Sequence, residues 1–237
     1  MNYPPQPAID TADRSAAHPV DYAWDDWEPY SLLGDDDLCM QTLLRSVTDR
    51  AKLAFAIACA EWVVTRLDPW LEGDITPWKF IEACWAFEMS DRFALPAESD
   101  ESEWKGKVRA PVDLALMTIL NTAIGFEDDN AEVDAAFAAQ IALHVLVERG
   151  AFLRWRRLVL HRLRRMYPKT QDATAGDERG VPVPREVLMF PMSIEPQKAD
   201  SAVEAFMAAV NVHSNPFVIE ATIDPDIGRA DESEHWS

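Results

Sequence analysis

Residues 38–67 read LCMQTLLRSVTDRAKLAFAIACAEWVVTRL, and their spacing decides the fold class. Leu43, Leu44, Val47, Ala51, Ala54, Phe55, Ala58, Trp62 and Val63 recur at steps of three and four, the period of a helix face. Asp35, Asp36 and Asp37 stand just before the run, where they supply a cap and negative charge against the helix dipole. Asp68-Pro69 ends it, because a residue preceding proline avoids the α region. Asp49 and Arg50 mark a candidate break, so the run is one helix or two.

Downstream the helical signals continue. Thr76-Pro77 supplies a hydroxyl cap followed by proline at the first helical position, predicting a helix to about Ser90. Its inward side chains are Phe80, Ile81, Cys84, Trp85 and Met89 or Phe87. Leu95 to Glu103 reads as an acidic loop, and Trp104 to Arg109 as a short basic turn. Pro111 starts a helix that is apolar on most faces to Ile124, hence central, with Gly125 ending it. Asp129-Asn-Ala-Glu132 fits a capping box for a helix from Ala131 to Arg149. Gly150 separates that helix from the next, Phe152 to Met166, which Tyr167-Pro168 closes. A last helix spans Lys198 to Val210. Val187 to Phe190 and Phe217 to Ile223 are candidate strands of one hairpin.

Pro77 and Pro111 lie a helical-repeat period apart, but no repeat signature recurs around them. The expected fold is therefore mainly α: an irregular bundle of six to eight helices with at most a minor C-terminal β-hairpin. Its parts are an acidic, aromatic N-terminal arm (1–34), a helical core domain (35–168) and a polar linker (169–186). A C-terminal helix with short strands packing on the core (187–223) and an acidic tail (224–237) follow.

Composition narrows the function classes. Lys and Arg total 22 against 41 Asp and Glu, a net charge of −19 over 237 residues. That charge repels nucleic acid. No apolar run reaches the roughly 18 residues of a membrane span, and the N-terminus carries neither the basic nor the apolar region of a secretory signal. Cys39, Cys59 and Cys84 form no CxxC pair and sit among helical apolar residues, as small hydrophobes of a reduced, cytoplasmic core do. No histidine stands beside any of them to make a catalytic thiolate. Nucleophile-elbow, phosphate-loop and dinucleotide motifs are all missing. His144 and Glu148 are spaced i, i+4, but a metal site needs three or four ligands. Asp35-Asp36-Asp37 and Asp224-Pro-Asp226 lack the calcium-loop layout, and no Glu-x-x-His occurs. Glu61, Glu82 and Glu88 are expected at helix edges, facing solvent or arginine. No cofactor and no metal is expected.

Two segments stand out by charge. Residues 21–30, DYAWDDWEPY, interleave aromatics with carboxylates. Tyr22, Trp24, Asp25, Asp26, Trp27, Glu28, Asp35 and Asp36 form a candidate surface for a basic protein partner: aromatics give contact area at low entropy cost and carboxylates steer a cation. The competing expectation is that these aromatics pack on their own domain. Arg149 to Lys169 is the opposite, eight basic residues and no acid, so that +8 taken from −19 leaves −27 for the remaining chain. Phe152, Trp155, Val159, Leu163 and Met166 make its apolar stripe. Arg154, Arg157, His161 and Arg165 make a candidate anion-binding face, unless the helix neutralises acidic neighbours within the fold.

The reading that follows is a non-enzymatic acidic protein that neutralises a basic partner by occluding its active or nucleic-acid-binding surface. Bacterial immunity proteins and antitoxins have this general character. The alternative is an α-helical enzyme or small-anion binder with a pocket between helices near Arg154, Arg157 and His161.

Overall fold

The computed structural model describes residues 19–34, 36–97, 105–170, 179–189 and 194–221. They form eight α-helices: α1 Pro29–Leu33, α2 Leu38–Leu44, α3 Asp49–Leu67, α4 Thr76–Met89, α5 Gly106–Ile124, α6 Ala131–Val145, α7 Arg149–Met166 and α8 Ala199–Ala209. The mainly α expectation holds. The first 18 residues of the arm, most of the Leu95–Glu103 loop, the middle of the polar linker and the tail from Asp224 lie outside the described residues.

The 38–67 run divides into two helices. Asp37 caps α2 by accepting from the Met40 amide at 2.9 Å. The chain then turns through Ser46 and Val47, where Val47 bridges Pro168 at the far end of α7, and α3 starts at Asp49. Every residue of α3 is buried. Alanines at 51, 54, 56, 58 and 60 let α5 and α6 approach closely, and α6 answers with its own Ala135, Ala136, Ala138, Ala139 and Ala142. On another side α7 packs through large rings: Phe55 stacks on Trp155 at 5.8 Å, and Trp62 meets Phe152 edge-on at 5.4 Å. The central helix is thus α3, and not the 111–124 segment, whose Asp113 and Asn121 line a surface cleft.

Four further expectations are corrected. α5 begins at Gly106, so the basic turn is its first turn and Pro111 lies inside the helix. Thr76 does not cap α4; its own amide donates to Asp74 Oδ1 at 2.9 Å. The capping box does not form. Asn130 holds the cap position without a side-chain bond, Asp129 adopts a left-handed φ of 51° and pairs with Lys169 at 2.9 Å, and Glu132 turns into the core. α6 stops at Val145 and α7 already includes Arg149 and Gly150, so His144 and Glu148 do not share a helix.

The hairpin is absent among the described residues. Residues 185–188 form a 3-10 turn instead, fastened to α7 by Trp155 Nε1 donating to the Leu188 carbonyl at 2.7 Å. The 217–221 segment pairs elsewhere: Ala94 donates to the Ile219 carbonyl and Ala221 to the Arg92 carbonyl, both at 2.8 Å, beside the end of α4. The end of the polar linker is seated on the core rather than loose. Gly180 holds φ +74° with Thr48 so near that a Cβ would meet it at 2.5 Å, and Val183 is buried.

Candidate functional site

The described part of the N-terminal arm lies across α5 and α6 and is fastened at several points. Arg66 Nη2 near the end of α3 donates to the Pro19 carbonyl at 3.2 Å. The Tyr22 hydroxyl donates to the Lys107 carbonyl. Pro111 has no amide proton, so that carbonyl lacks its partner one turn on, and Tyr22 replaces it. Burial raises the Tyr22 phenol well above its usual pKa, against the opposing effect of Arg66, so it stays a donor. His144 Nε2 donates to the Ala23 carbonyl at 2.7 Å, and its ring lies 5.3 Å from Tyr22 and 6.0 Å from Trp24.

Asp26 is placed by the same logic. Its carboxylate accepts from the Gly106 amide at 2.9 and 3.2 Å and from Trp24 Nε1 at 3.0 Å. Gly106 is the first residue of α5, so Asp26 caps that helix from outside and sits against the positive end of its dipole. Tyr30 stacks on Phe137 of α6 at 5.2 Å.

Tyr22, Trp24 and Asp26 are therefore occupied within the molecule. Asp25, Trp27 and Glu28 point outward, and Trp27 is 89% exposed. Its backbone is nonetheless held: its amide donates to Asp25 Oδ1 at 2.8 Å, and Ser31 Oγ donates to the Glu28 carbonyl at 2.8 Å. Asp36 is exposed at the turn before α2, away from this group, and Asp35 lies outside the described residues. Between arm and α5 opens a cleft of about 530 Å³. Trp24, Trp27 and Tyr30 line one side; Asp113, Leu114 and Met117 line the other. Sequence reasoning missed Asp113, because only the fold brings it opposite the arm.

A second cleft, of about 460 Å³, runs between α2 and α7. Arg156, Arg157, His161 and Arg164 line it from α7 with Leu153 and Leu160; Cys39, Met40 and Leu43 line it from α2. Arg157 and His161 of the anion-binding set are thus brought together here. Arg154 and Arg165 are exposed on the neighbouring face of α7 and do not line the cleft. Internal neutralisation explains only part of the helix. Arg156 reaches Asp37 at 3.7 Å, and Arg162 donates to the carbonyls of Val187 and Met189 at 3.2 and 2.5 Å. Arg149, Arg154, Arg157, Arg164 and Arg165 make no ion pair with a described residue.

Glu61, Glu82 and Glu88 are buried and do not face solvent, while the expected arginine partner is found at Glu61. Glu61 accepts from Trp85 Nε1 at 2.9 Å and pairs with Arg185 at 2.7 Å. Glu82 accepts from Asn215 Nδ2 at 2.8 Å. Glu88 accepts from the Val183 amide at 2.8 Å, and burial pushes its pKa up to about 8 despite that bond and nearby Arg50. Lys52 is fully enclosed, 2.9 Å from Asp49 and 3.5 Å from Glu132, which Arg45 also holds at 2.9 Å. These groups have partners in the fold and open onto neither cleft. Burial pushes the Cys59 and Cys84 thiols up, away from nucleophilic thiolates, while Cys39 is exposed.

Among the described residues no group of three or more His, Cys, Asp or Glu is arranged to hold a metal ion, and no helix is long and apolar enough to cross a membrane. Neither protein-family models, nor curated proteins, nor solved structures give a match to this chain.

Proposed function

We infer that this is a non-enzymatic binding protein for a basic protein partner, of the immunity-protein or antitoxin type, and that it occludes the partner's working surface with the ridge formed by Asp25, Trp27 and Glu28. The observation carrying the reading is Trp27: an 89% exposed indole whose amide donates to Asp25 within the arm, next to Asp26, whose carboxylate anchors the arm to the Gly106 amide of α5. A large exposed aromatic pays little further entropy when its backbone is already ordered, so its burial in a partner goes into affinity. Carboxylates on either side attract lysine and arginine, and the net charge of −19 speeds the encounter. An indole face also receives a cation directly.

The experiment is capture of partners from a host lysate at low and high salt, with wild type, Trp27→Ala and Glu28→Arg. The expected result is a cationic protein retained at low salt, released as salt rises, and weakened at least about tenfold by either substitution. Both side chains are exposed, so unchanged circular dichroism is expected. Capture that is indifferent to both substitutions overturns the reading.

A further inference from the structure

We propose that the groove between α2 and α7 is a second docking site, of opposite sign to the arm, which takes an acidic amphipathic segment of a protein partner. Four observations carry it. First, Arg154, Arg157 and Arg165 are exposed and make no ion pair with a described residue, in a chain whose remainder outside 149–169 carries −27. Exposed arginines beside such an excess of carboxylate are not needed on this face for internal pairing. Second, the groove has an apolar floor. Met40 and Leu160 are nearly buried, and Leu153, 41% exposed, stands at its edge. Third, the polar side chains are regularly placed: Arg157, His161 and Arg164 follow one another at steps of four and three beside that floor, and Arg154 and Arg165 lie on the neighbouring face. From Arg154 to Arg165 the stripe runs about 16 Å along α7 at 1.5 Å per residue. Fourth, the groove is partly open to solvent and is not an enclosed cavity.

These features select the occupant. A small phosphate or carboxylate would engage two or three cations and leave the apolar floor and most of the stripe unused. A nucleic acid would extend past the stripe toward a chain whose remainder carries a net −27, and it would find no exposed Phe, Tyr or Trp on α7 for its bases, since Phe152 and Trp155 are both buried. A short helix or strand with carboxylates along one edge and leucine-like side chains along the other matches both halves of the groove. Arginine forks suit carboxylates in two-bond geometry, so the acidic edge is recognised by direction as well as by charge.

The site does not depend on the arm reading. Its test uses the full chain and a fluorescein-labelled synthetic 15-residue peptide with Glu and Leu at helical spacing. Controls are the same peptide with Gln for Glu and a 15-nucleotide single strand of DNA. Cys39 supplies an independent readout: it is exposed within the groove while Cys59 and Cys84 are buried, so maleimide labelling of the folded protein reports on this position.

The expected result is saturable anisotropy with the Glu peptide, at least about tenfold weaker with the Gln peptide and about tenfold weaker in Arg157→Glu or Arg164→Glu. Labelling of Cys39 should slow when the Glu peptide is bound. Arg157→Gln, which adds no negative charge, keeps the test available should a charge reversal disturb folding, and Trp27→Ala should bind the peptide as wild type does. Failure of the Glu peptide to bind, equal binding of the Gln peptide, preference for the DNA strand, or binding unchanged in all three arginine variants would overturn the proposal. Sedimentation showing a dimer that Arg157→Glu dissolves would overturn it in favour of a second copy of this chain in the groove.

Discussion

The hydroxyl of Tyr22 donates to the carbonyl of Lys107, the acceptor that Pro111, lacking an amide proton, cannot serve. A helix defect and an arm contact are thus one feature. A proline inside a helix frees a carbonyl, and here that carbonyl becomes the anchor for a segment 85 residues away in sequence. Tyr22→Phe should cost about 1 kcal/mol of stability, the net worth of a hydrogen bond in a half-buried site. In a Pro111→Ala background an amide proton returns to that carbonyl, and the Tyr22→Phe penalty should fall to half or less. Urea melts of the four proteins give the coupling directly; additive penalties would show that the two residues act separately.

Asp26 caps α5 from the arm. Asp26→Ala removes both the acceptor and the charge, and should cost about 1 kcal/mol. Asp26→Asn keeps an acceptor near the Gly106 amide and should cost only a few tenths. Amide hydrogen exchange at the start of α5 should rise in the alanine variant before that of α3 does. If both regions loosen together, Asp26 supports the body and not the helix start alone.

Glu88 makes stability depend on pH in the less usual direction. Its folded-state pKa is raised, to about 8 against 4.5 when solvated. Between those values the folded chain holds a proton that the unfolded chain has lost, so stability falls as pH rises through that window and levels off above it. Glu88→Gln, which keeps an acceptor for the Val183 amide, should leave stability at pH 5 nearly unchanged. At pH 9 it should gain a few kcal/mol, on the order of the shift converted at about 1.4 kcal/mol per unit. Thermal melts from pH 5 to 9 check this; parallel curves for the two proteins would remove Glu88 as the cause.

Lys52 sits at 0% exposure between Asp49 and Glu132. Lys52→Met fits the same space but leaves two buried carboxylates with less positive charge between them, and should cost about 3 to 5 kcal/mol. Adding Glu132→Leu should recover part of that loss by removing one orphaned charge. Denaturant midpoints decide the matter, and a double variant weaker than the single would contradict it.

Much of the helical layout is legible in the sequence because it is local. The proline and aspartate punctuation marks α2, α3 and α4 within a few residues, and the stripe of Phe152, Trp155, Val159 and Leu163 is the buried face of α7. What escapes is set by partners far along the chain. The start of α5 depends on a carboxylate 80 residues upstream. Glu132 has the spacing of a capping glutamate, yet Lys52 and Arg45 claim it, because an enclosed ammonium needs a counter-charge more than a solvated helix end needs a second cap. The β-branched content of 217–221 indicates extended backbone but carries no information on which edge receives it.

The candidate sites divide the same way. The arginine helix is visible by composition, and so is the arm. That Tyr22, Trp24 and Asp26 are engaged within the molecule while Trp27 is left exposed is not, since all four belong to one short polar-aromatic run. The clefts owe half of their walls to Asp113 on α5 and to Cys39, Met40 and Leu43 on α2, residues with no distinctive pattern of their own.

The pairing of Glu61 with Arg185 has a consequence for how the protein is made. Glu61 sits in the innermost helix, and its guanidinium arrives 124 residues later, from a turn that also supplies the seat for Trp155. During synthesis the emerging polypeptide therefore carries this carboxylate without its Arg185 counter-charge until more than three quarters of the chain has left the ribosome. Fragments that stop before residue 185 are left in that state permanently, which makes them natural clients for chaperones and proteases rather than smaller versions of the same molecule.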